Sequence, residues 1–460
     1  MKYAIAVLSA ALHLQAAAIT QQPTSPAQRM LTKVQYEELL DNANRGDAHA
    51  EALLGDLYEN GGYLNQDYEQ ARHWFSLAAA QGDARAQLEL GWLHQYGKGG
   101  PVDLKEAVKF YRAAATQGNA TALYFFGLCY SNGTGVDTDY PQALSLLRQA
   151  LAKGELRAQT SLAYLLDAGL GAKQDRQEAR RLYLLAAERN DSRALYNLGN
   201  MYEQGLEGSP DYVASRRFFQ RAAAAGDPTA NARIGNHFLN GHGIPADPAQ
   251  AVALFRQSAE LDDDYGANKL ARCYEQGKGV AQDYELARRW YGVAARLGNS
   301  EAQFRLGGLY ADGLGMTKDY AEAANWYRQS ADQGNAEGQR RLAWLYWEGD
   351  GVRQDWHKSI ELLRAAIDGG NTLALSDLGM LILYDIESAT PDYSHALPLF
   401  VKAAQADDAV GQMRLGRAYS LGLGVGKNDS EAKKWLALAA RQGNTDAKIF
   451  LKNLYRIEVD

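Results

Sequence analysis

Cysteine is nearly missing from this 460-residue chain, which has only Cys129 and Cys273. Two thiols so far apart cannot build a disulfide framework, so stability has to come from packing. Proline is scarce, with 10, and the eight histidines are scattered singly. His237 and His242 are the nearest pair on one element, five residues apart with no third ligand close by, a weak pattern for zinc. Beyond the first eighteen residues no run is apolar enough for a membrane helix, which needs about 20 such residues. A strong charge of one sign is also missing. The 48 basic and 55 acidic residues leave a formal charge of −7, and a mildly acidic balance argues against non-specific nucleic-acid binding as the main task. Gly422 to Lys427 has the wrong spacing for a phosphate loop, no Ser or Thr follows the lysine, and no strand precedes it. Carboxylates fall mainly where helices start, and capping explains them. No catalytic constellation emerges, and neither a cofactor nor a metal is expected.

The start of the chain differs from the rest. Lys2 supplies a positive charge, Ala4 to Leu14 is apolar, and Ala16-Ala17-Ala18 offers the small residues a signal peptidase needs. Residues 1–18 therefore read as a signal peptide and 19–30, with Pro23 and Pro26, as a flexible spacer. The expected location is the periplasm, with the surrounding medium as the alternative.

What is abundant is repetition. A Leu-Gly-like step, a large apolar residue before Gly or Ala, recurs at Gly55, Gly91, Gly127, Ala163, Gly199, Gly235, Ala271, Gly307, Ala343 and Gly379, always 36 residues apart, and at Gly416 after 37. A period of this length marks a solenoid. The tolerance of Ala means that the site needs smallness, which lets a neighbouring helix approach. Five residues earlier lies a second small position, for example Ala86, Ala194, Gly266 and Ala302. Large apolar residues at −1, +2 and +3, such as Leu306, Leu309 and Tyr310, complete one helical face. This is helix A of each repeat.

A Gly-x-Gly turn follows, as at Gly277-Lys278-Gly279, and then an acidic residue: Asp67, Asp103, Asp139, Asp175, Asp211, Asp247, Asp283, Asp319, Asp355 and Asp392. Asp at this place predicts the N-cap of a second helix, helix B. Helix B carries pairs such as Trp290-Tyr291 and ends at Gly82, Gly118, Gly154, Gly226, Gly298, Gly334, Gly370 or Gly443. Asn190, Asp262 and Asp407 stand at the other three ends. These are the residue types that enter the left-handed region, so the position predicts a C-terminal cap. The reading is an all-α solenoid of helix-turn-helix repeats, about eleven over 47–443, between a capping helix over 31–46 and another over 444–460.

The pattern AxxxLGxxYxxGxGVxxDYxxAxxWYxxAAxxGN resembles the Sel1-like repeat, a relative of the tetratricopeptide repeat. Repeat eight carries it nearly throughout, with Ala302, Leu306, Gly307, Tyr310, Gly313, Gly315, Asp319, Tyr320, Ala323, Trp326, Tyr327, Ala331 and Gly334. Repeat ten departs from it at Tyr384 to Pro391, and repeat four at Leu166, Ala172 and Arg176. The resemblance implies a right-handed superhelix and a non-catalytic scaffold or adaptor of the bacterial cell envelope, binding other proteins along a concave helix-A face. A secreted factor that binds host proteins is the alternative. A β-lactam or cell-wall hydrolase is the third, and it is disfavoured because the cysteine-rich members described as such carry a disulfide pair in every repeat.

Two stripes of helix A are candidate partner sites. Positions −3, +1 and +4 carry the aromatics Trp92, Tyr124, Tyr164, Tyr196, Phe304, Trp344 and Trp347, which as exposed groups along a groove would suit protein recognition. Position −2 carries Arg233, Lys269, Arg305 and Arg341 at 36-residue spacing, a ladder of positive charge suited to an acidic segment or an anionic polysaccharide. The competing expectation is that carboxylates nearby neutralise the ladder.

Overall fold

The computed structural model describes residues 32–205, 208–383 and 391–458. The signal peptide and spacer readings, and most of the irregular turn of repeat ten, lie outside the described residues. Among these, helices in antiparallel pairs follow one another from Lys33–Asn44 to Thr445–Tyr455, with no strand. The helices A and B of the eleven repeats lie between those two.

Each helix is bounded as its sequence predicts. All ten aspartates named above are N-caps of helix B, and Asp283 is representative, its carboxylate accepting from the Leu286 N–H at 2.9 Å. Helix A is capped by the Asp or Asn that follows the C-cap glycine, as at Asn299, which accepts from Ala302. Repeats four and six are exceptions. Their helices A start at Ala158 and Ala230 after an αR residue that makes no side-chain cap bond. At the end of helix B every glycine of the series has positive φ, with Gly298 at +93°, and Asn190, Asp262 and Asp407 adopt +56°, +57° and +64°.

The Gly-x-Gly turn needs its two glycines for different reasons. Gly277 ends helix A in the left-handed conformation with φ 66°. Gly279 also has positive φ, and a Cβ on it would lie 2.2 Å from the Pro248 carbonyl oxygen at the start of the previous helix B. A side chain there would push the turn off its neighbour.

Packing within a repeat explains the small site of helix A. The second member of the helix-B pair lies on it: a Cβ on Gly91 would fall 2.7 Å from the Tyr111 ring, on Gly199 2.5 Å from Phe219 and on Gly307 2.7 Å from Tyr327. The rings themselves are sealed, with Phe75, Tyr111, Tyr183, Phe219, Phe255 and Tyr291 at 0% exposure. Burying side chains of this size contributes about 2–3 kcal/mol each at about 25 cal/mol per Å².

Contacts divide the chain after Asp227, at the join of repeats five and six, into a first unit and a second unit from Pro228. In the first unit, Ala71, Phe75, Ala78, Ala86, Leu90 and Leu93 form one apolar cluster. Ala43, Ala50, Leu54 and Trp74 form another, against which Tyr36, Leu39 and Leu40 of the N-terminal helix pack. In the second unit a larger cluster runs from Ala232 to Leu309, and Leu436, Ala439, Ala447 and Leu451 join the last repeat to the C-terminal helix. Glutamines add polar ties between the two helices of a repeat that periodicity does not reveal. The Gln117 amide donates to the Gln87 carboxamide at 2.9 Å, and Gln333 to Gln303 at 2.7 Å.

Candidate interaction surface on helix A

The aromatic stripe is less exposed than its position predicts. Tyr124 is buried at 3%, with the Arg157 guanidinium 5.1 Å from its ring. It offers no surface to a partner, because residues from the next repeat cover it. Trp92, Tyr164, Tyr196, Phe304, Trp344 and Trp347 are half-buried. Trp92 lies 5.2 Å from Tyr96, Tyr196 5.5 Å from Phe219, Phe304 6.1 Å from Tyr327 and Trp347 6.0 Å from Trp356. These rings have packing duties, so only their outer edges are available for recognition.

The basic ladder is held in place by more than carboxylates. Arg233 and Lys269 both sit over the Tyr265 ring, at 5.1 Å each, a cation–π arrangement worth about 0.5–1 kcal/mol at an exposed site. The Tyr265 hydroxyl accepts from Asn236 at 2.6 Å. Arg305 pairs with Glu301 of its own helix at 2.9 Å and lies over Phe304. Arg341 is exposed and has no carboxylate within ion-pair distance among the described residues.

The two stripes also meet. Where Asp377 interrupts the ladder in repeat ten, its carboxylate accepts from Arg340 at 2.8 Å and from the Trp344 indole at 3.0 Å. Arg340 also pairs with Glu337 at 3.2 Å. Positions −3 and +1 of one repeat thus touch position −2 of the next. Among the described residues, Lys269, Arg272, Arg341, Arg414 and Arg417 make no ion pair, whereas Arg340 and Arg305 do. The Nε atoms of Arg414 and Arg417 are buried and donate to nothing. Net positive charge therefore remains on this face of the second unit.

The first unit carries a feature that the sequence reading missed. Asp56, Glu59 and Glu89 gather at +1 and +4 of helix A in repeat one and −2 of helix A in repeat two. Arg85 pairs with Asp56 at 2.7 Å. Burial pushes the Asp56 carboxyl up to about 6 against the pull of Arg85. Burial and the charges of Glu89 and Asp56 push Glu59 up to about 8, and burial with Asp56 pushes Glu89 up to about 7. The register positions were available in the sequence. Their convergence was not, because it depends on how two helices A meet.

The thiols are core groups. Cys129 and Cys273 are each 3% exposed, and burial raises them to about 12 and about 11, far above the reactive range. No helix of the described residues is long and apolar enough to cross a membrane.

The Sel1 repeat pattern matches eleven consecutive stretches, 48–83, 84–119, 120–155, 156–191, 192–227, 228–263, 264–299, 300–335, 336–371, 372–408 and 409–444. Among solved structures, the chain is similar to c5321, a protective antigen present in uropathogenic Escherichia coli strains that displays this repeat fold. Identity is 35% and the TM-score 0.56, over 84% of this chain and 82% of that one. A Sel1 repeat protein from Oxalobacter formigenes is 28% identical with a TM-score of 0.39, over 61% and 96%. No curated protein sequence matches the chain.

Proposed function

Since the chain belongs to the Sel1 repeat family, we propose that it is a non-catalytic interaction scaffold of the bacterial cell envelope, whose helix-A face in the second unit holds an acidic segment of a partner protein. The observation that carries this reading is the unneutralised charge of Lys269, Arg272, Arg341, Arg414 and Arg417, at positions −2 and +1 of the helices A of repeats seven, nine and eleven. Of these Arg341 is exposed and the others half-buried; such charges steer an oppositely charged chain and position it, while the half-buried edges of Phe304, Trp344 and Trp347 supply apolar contact.

Binding of a Glu-rich peptide to the full chain tests it. Lys269→Glu with Arg341→Glu should weaken binding at least tenfold at low salt and less at high salt, because such charges are screened over about 8–10 Å. Thermal stability should move little, since surface charges usually matter by less than about 0.5 kcal/mol. Unchanged affinity in that double variant overturns the assignment. Cell fractionation tests the envelope location. Its rival is a factor released to act on host proteins, which the likeness to an antigen of a pathogenic strain favours. Turnover of a β-lactam or peptidoglycan, abolished by one point substitution, would overturn the non-catalytic reading.

A further inference from the structure

The helix-B side of repeat seven breaks a pattern that other repeats keep. In five repeats a cation on helix B reaches the residue at +3 of the next helix A. Arg180 donates to the Tyr202 hydroxyl at 2.8 Å, Arg256 to Tyr274 at 2.8 Å and Arg328 to Tyr346 at 3.4 Å. Arg72 bonds to His94, and Lys433 lies 5.0 Å from the Tyr455 ring. Two register positions of helix B serve this contact. Arg72, Arg180 and Lys433 occupy the first, and Arg256 and Arg328 the second.

In repeat seven the first position is Arg288 and the second is Gly292. Arg288 does not make the usual bond, and its buried Nε donates to nothing. Gly292 lies mid-helix, where glycine is the poorest residue short of proline. Packing does not require it, since a Cβ there would meet only the end of the Arg296 side chain, at 3.4 Å. The missing side chain opens a cleft of about 580 Å³ between helix B of repeat seven and both helices of repeat eight. Arg288, Arg289 and Arg296 line one wall, and Leu306, Tyr310 and Trp326 the other. Among the described residues, none of the three arginines has an ion pair. Two carboxylates reach the rim: Asp283, already engaged as the helix cap, and the exposed Glu285.

We infer that this cleft binds a small organic oxyanion, a phosphate or carboxylate joined to an apolar body. Guanidinium groups match both oxyanions through paired N–H donors, and three of them against one uncommitted carboxylate leave the wall positive. The opposite wall is aromatic and aliphatic, which suits the body of such a ligand and not a bare ion. The site lies on the helix-B side and is independent of the helix-A surface, so Lys269→Glu with Arg341→Glu leaves it intact.

Calorimetric titration of the full chain with phenyl phosphate, benzoate, inorganic phosphate and benzyl alcohol tests it. Phenyl phosphate or benzoate should saturate one site, with inorganic phosphate at least tenfold weaker and benzyl alcohol silent. Gly292→Arg restores the residue found in repeats six and eight and fills the cleft. It should abolish binding although it adds positive charge, with an unchanged or raised melting temperature. Arg288→Gln should weaken binding about tenfold, and it provides the same test should Gly292→Arg fold poorly. Saturation of Gly292→Arg or Arg288→Gln with wild-type affinity overturns the proposal. So does the absence of saturable binding to the wild type, or equal affinity for inorganic and phenyl phosphate, which would mean that the aromatic wall plays no part.

Discussion

In the first unit, positions −2 and +1 of the helices A hold the carboxylates Asp56 and Glu89 and no cation. The same positions of the second unit hold Arg233, Lys269, Arg272, Arg305, Arg341, Arg414 and Arg417 against one carboxylate, Asp377. The packing positions do not differ in this way. Small residues sit under the helix-B ring in both units, and Tyr111 and Tyr291 are equally sealed. The repeat therefore fixes the core and leaves these surface positions free, so their charge is not a by-product of folding. Even the neutralisation differs: the first unit gathers three carboxylates round one arginine, while the second leaves five cations unpaired.

The largest expected effect asks whether the two units respond separately. Tyr111→Ala and Tyr291→Ala should each cost about 3–5 kcal/mol, as truncation of a buried aromatic does. Hydrogen exchange should show the loss within the first unit for Tyr111→Ala and within the second for Tyr291→Ala. Uniform loss along the whole chain in either variant would break the division. A smaller effect is expected at the one carboxylate of the second unit's register. Asp377→Ala leaves Arg340 with only Glu337 and the Trp344 indole with no acceptor, which should cost about 2 kcal/mol in denaturant unfolding. A cost below about 0.5 kcal/mol would show that the Arg340–Asp377–Trp344 contact is dispensable.

Capping should matter less, and equally in both units. Gly298→Val places a β-branched residue at φ +93° and should cost about 1 kcal/mol or more. Asp262→Gly should stabilise by up to about 1 kcal/mol by relieving a left-handed non-glycine residue, as thermal unfolding would show. These sites were the most legible in the sequence. Asn190, Asp262 and Asp407 were identified as left-handed caps because only Gly, Asn and Asp occupy that register. The small site of helix A was legible for the same reason, since Gly and Ala alternate there with no other residue.

The candidate surface was read less well, because register gives the stripe and not the depth. Tyr124 lies on the right stripe but is buried, since Arg157 from the next repeat folds over it. Glu59 shows the converse, a polar residue made consequential by neighbours on another helix. Nothing in the period foretold that Asp377 would join the two stripes.

The smallest effect concerns that acidic cluster and pH. Asp56, Glu59 and Glu89 have folded values above their ordinary ones, so the native state binds more protons than the unfolded state between about pH 4 and 8. The first unit should therefore be most stable near pH 5 and lose up to about 1 kcal/mol as pH rises through 6 to 8. Glu59→Gln should flatten that slope, as hydrogen exchange in repeats one and two would show. A first unit that gains stability from pH 5 to 8 would contradict the description of the cluster.

On the proposed reading, the second unit's helix-A face is the one that meets an acidic partner. Hydrogen–deuterium exchange of the full chain, with and without a Glu-rich peptide, tests it most directly. Protection is expected only in the helices A of repeats six to eleven, strongest around Lys269, Arg272 and Arg341, and none in repeats one and two. Protection centred on helices B, or on Asp56 and Glu89 of the first unit, would contradict it.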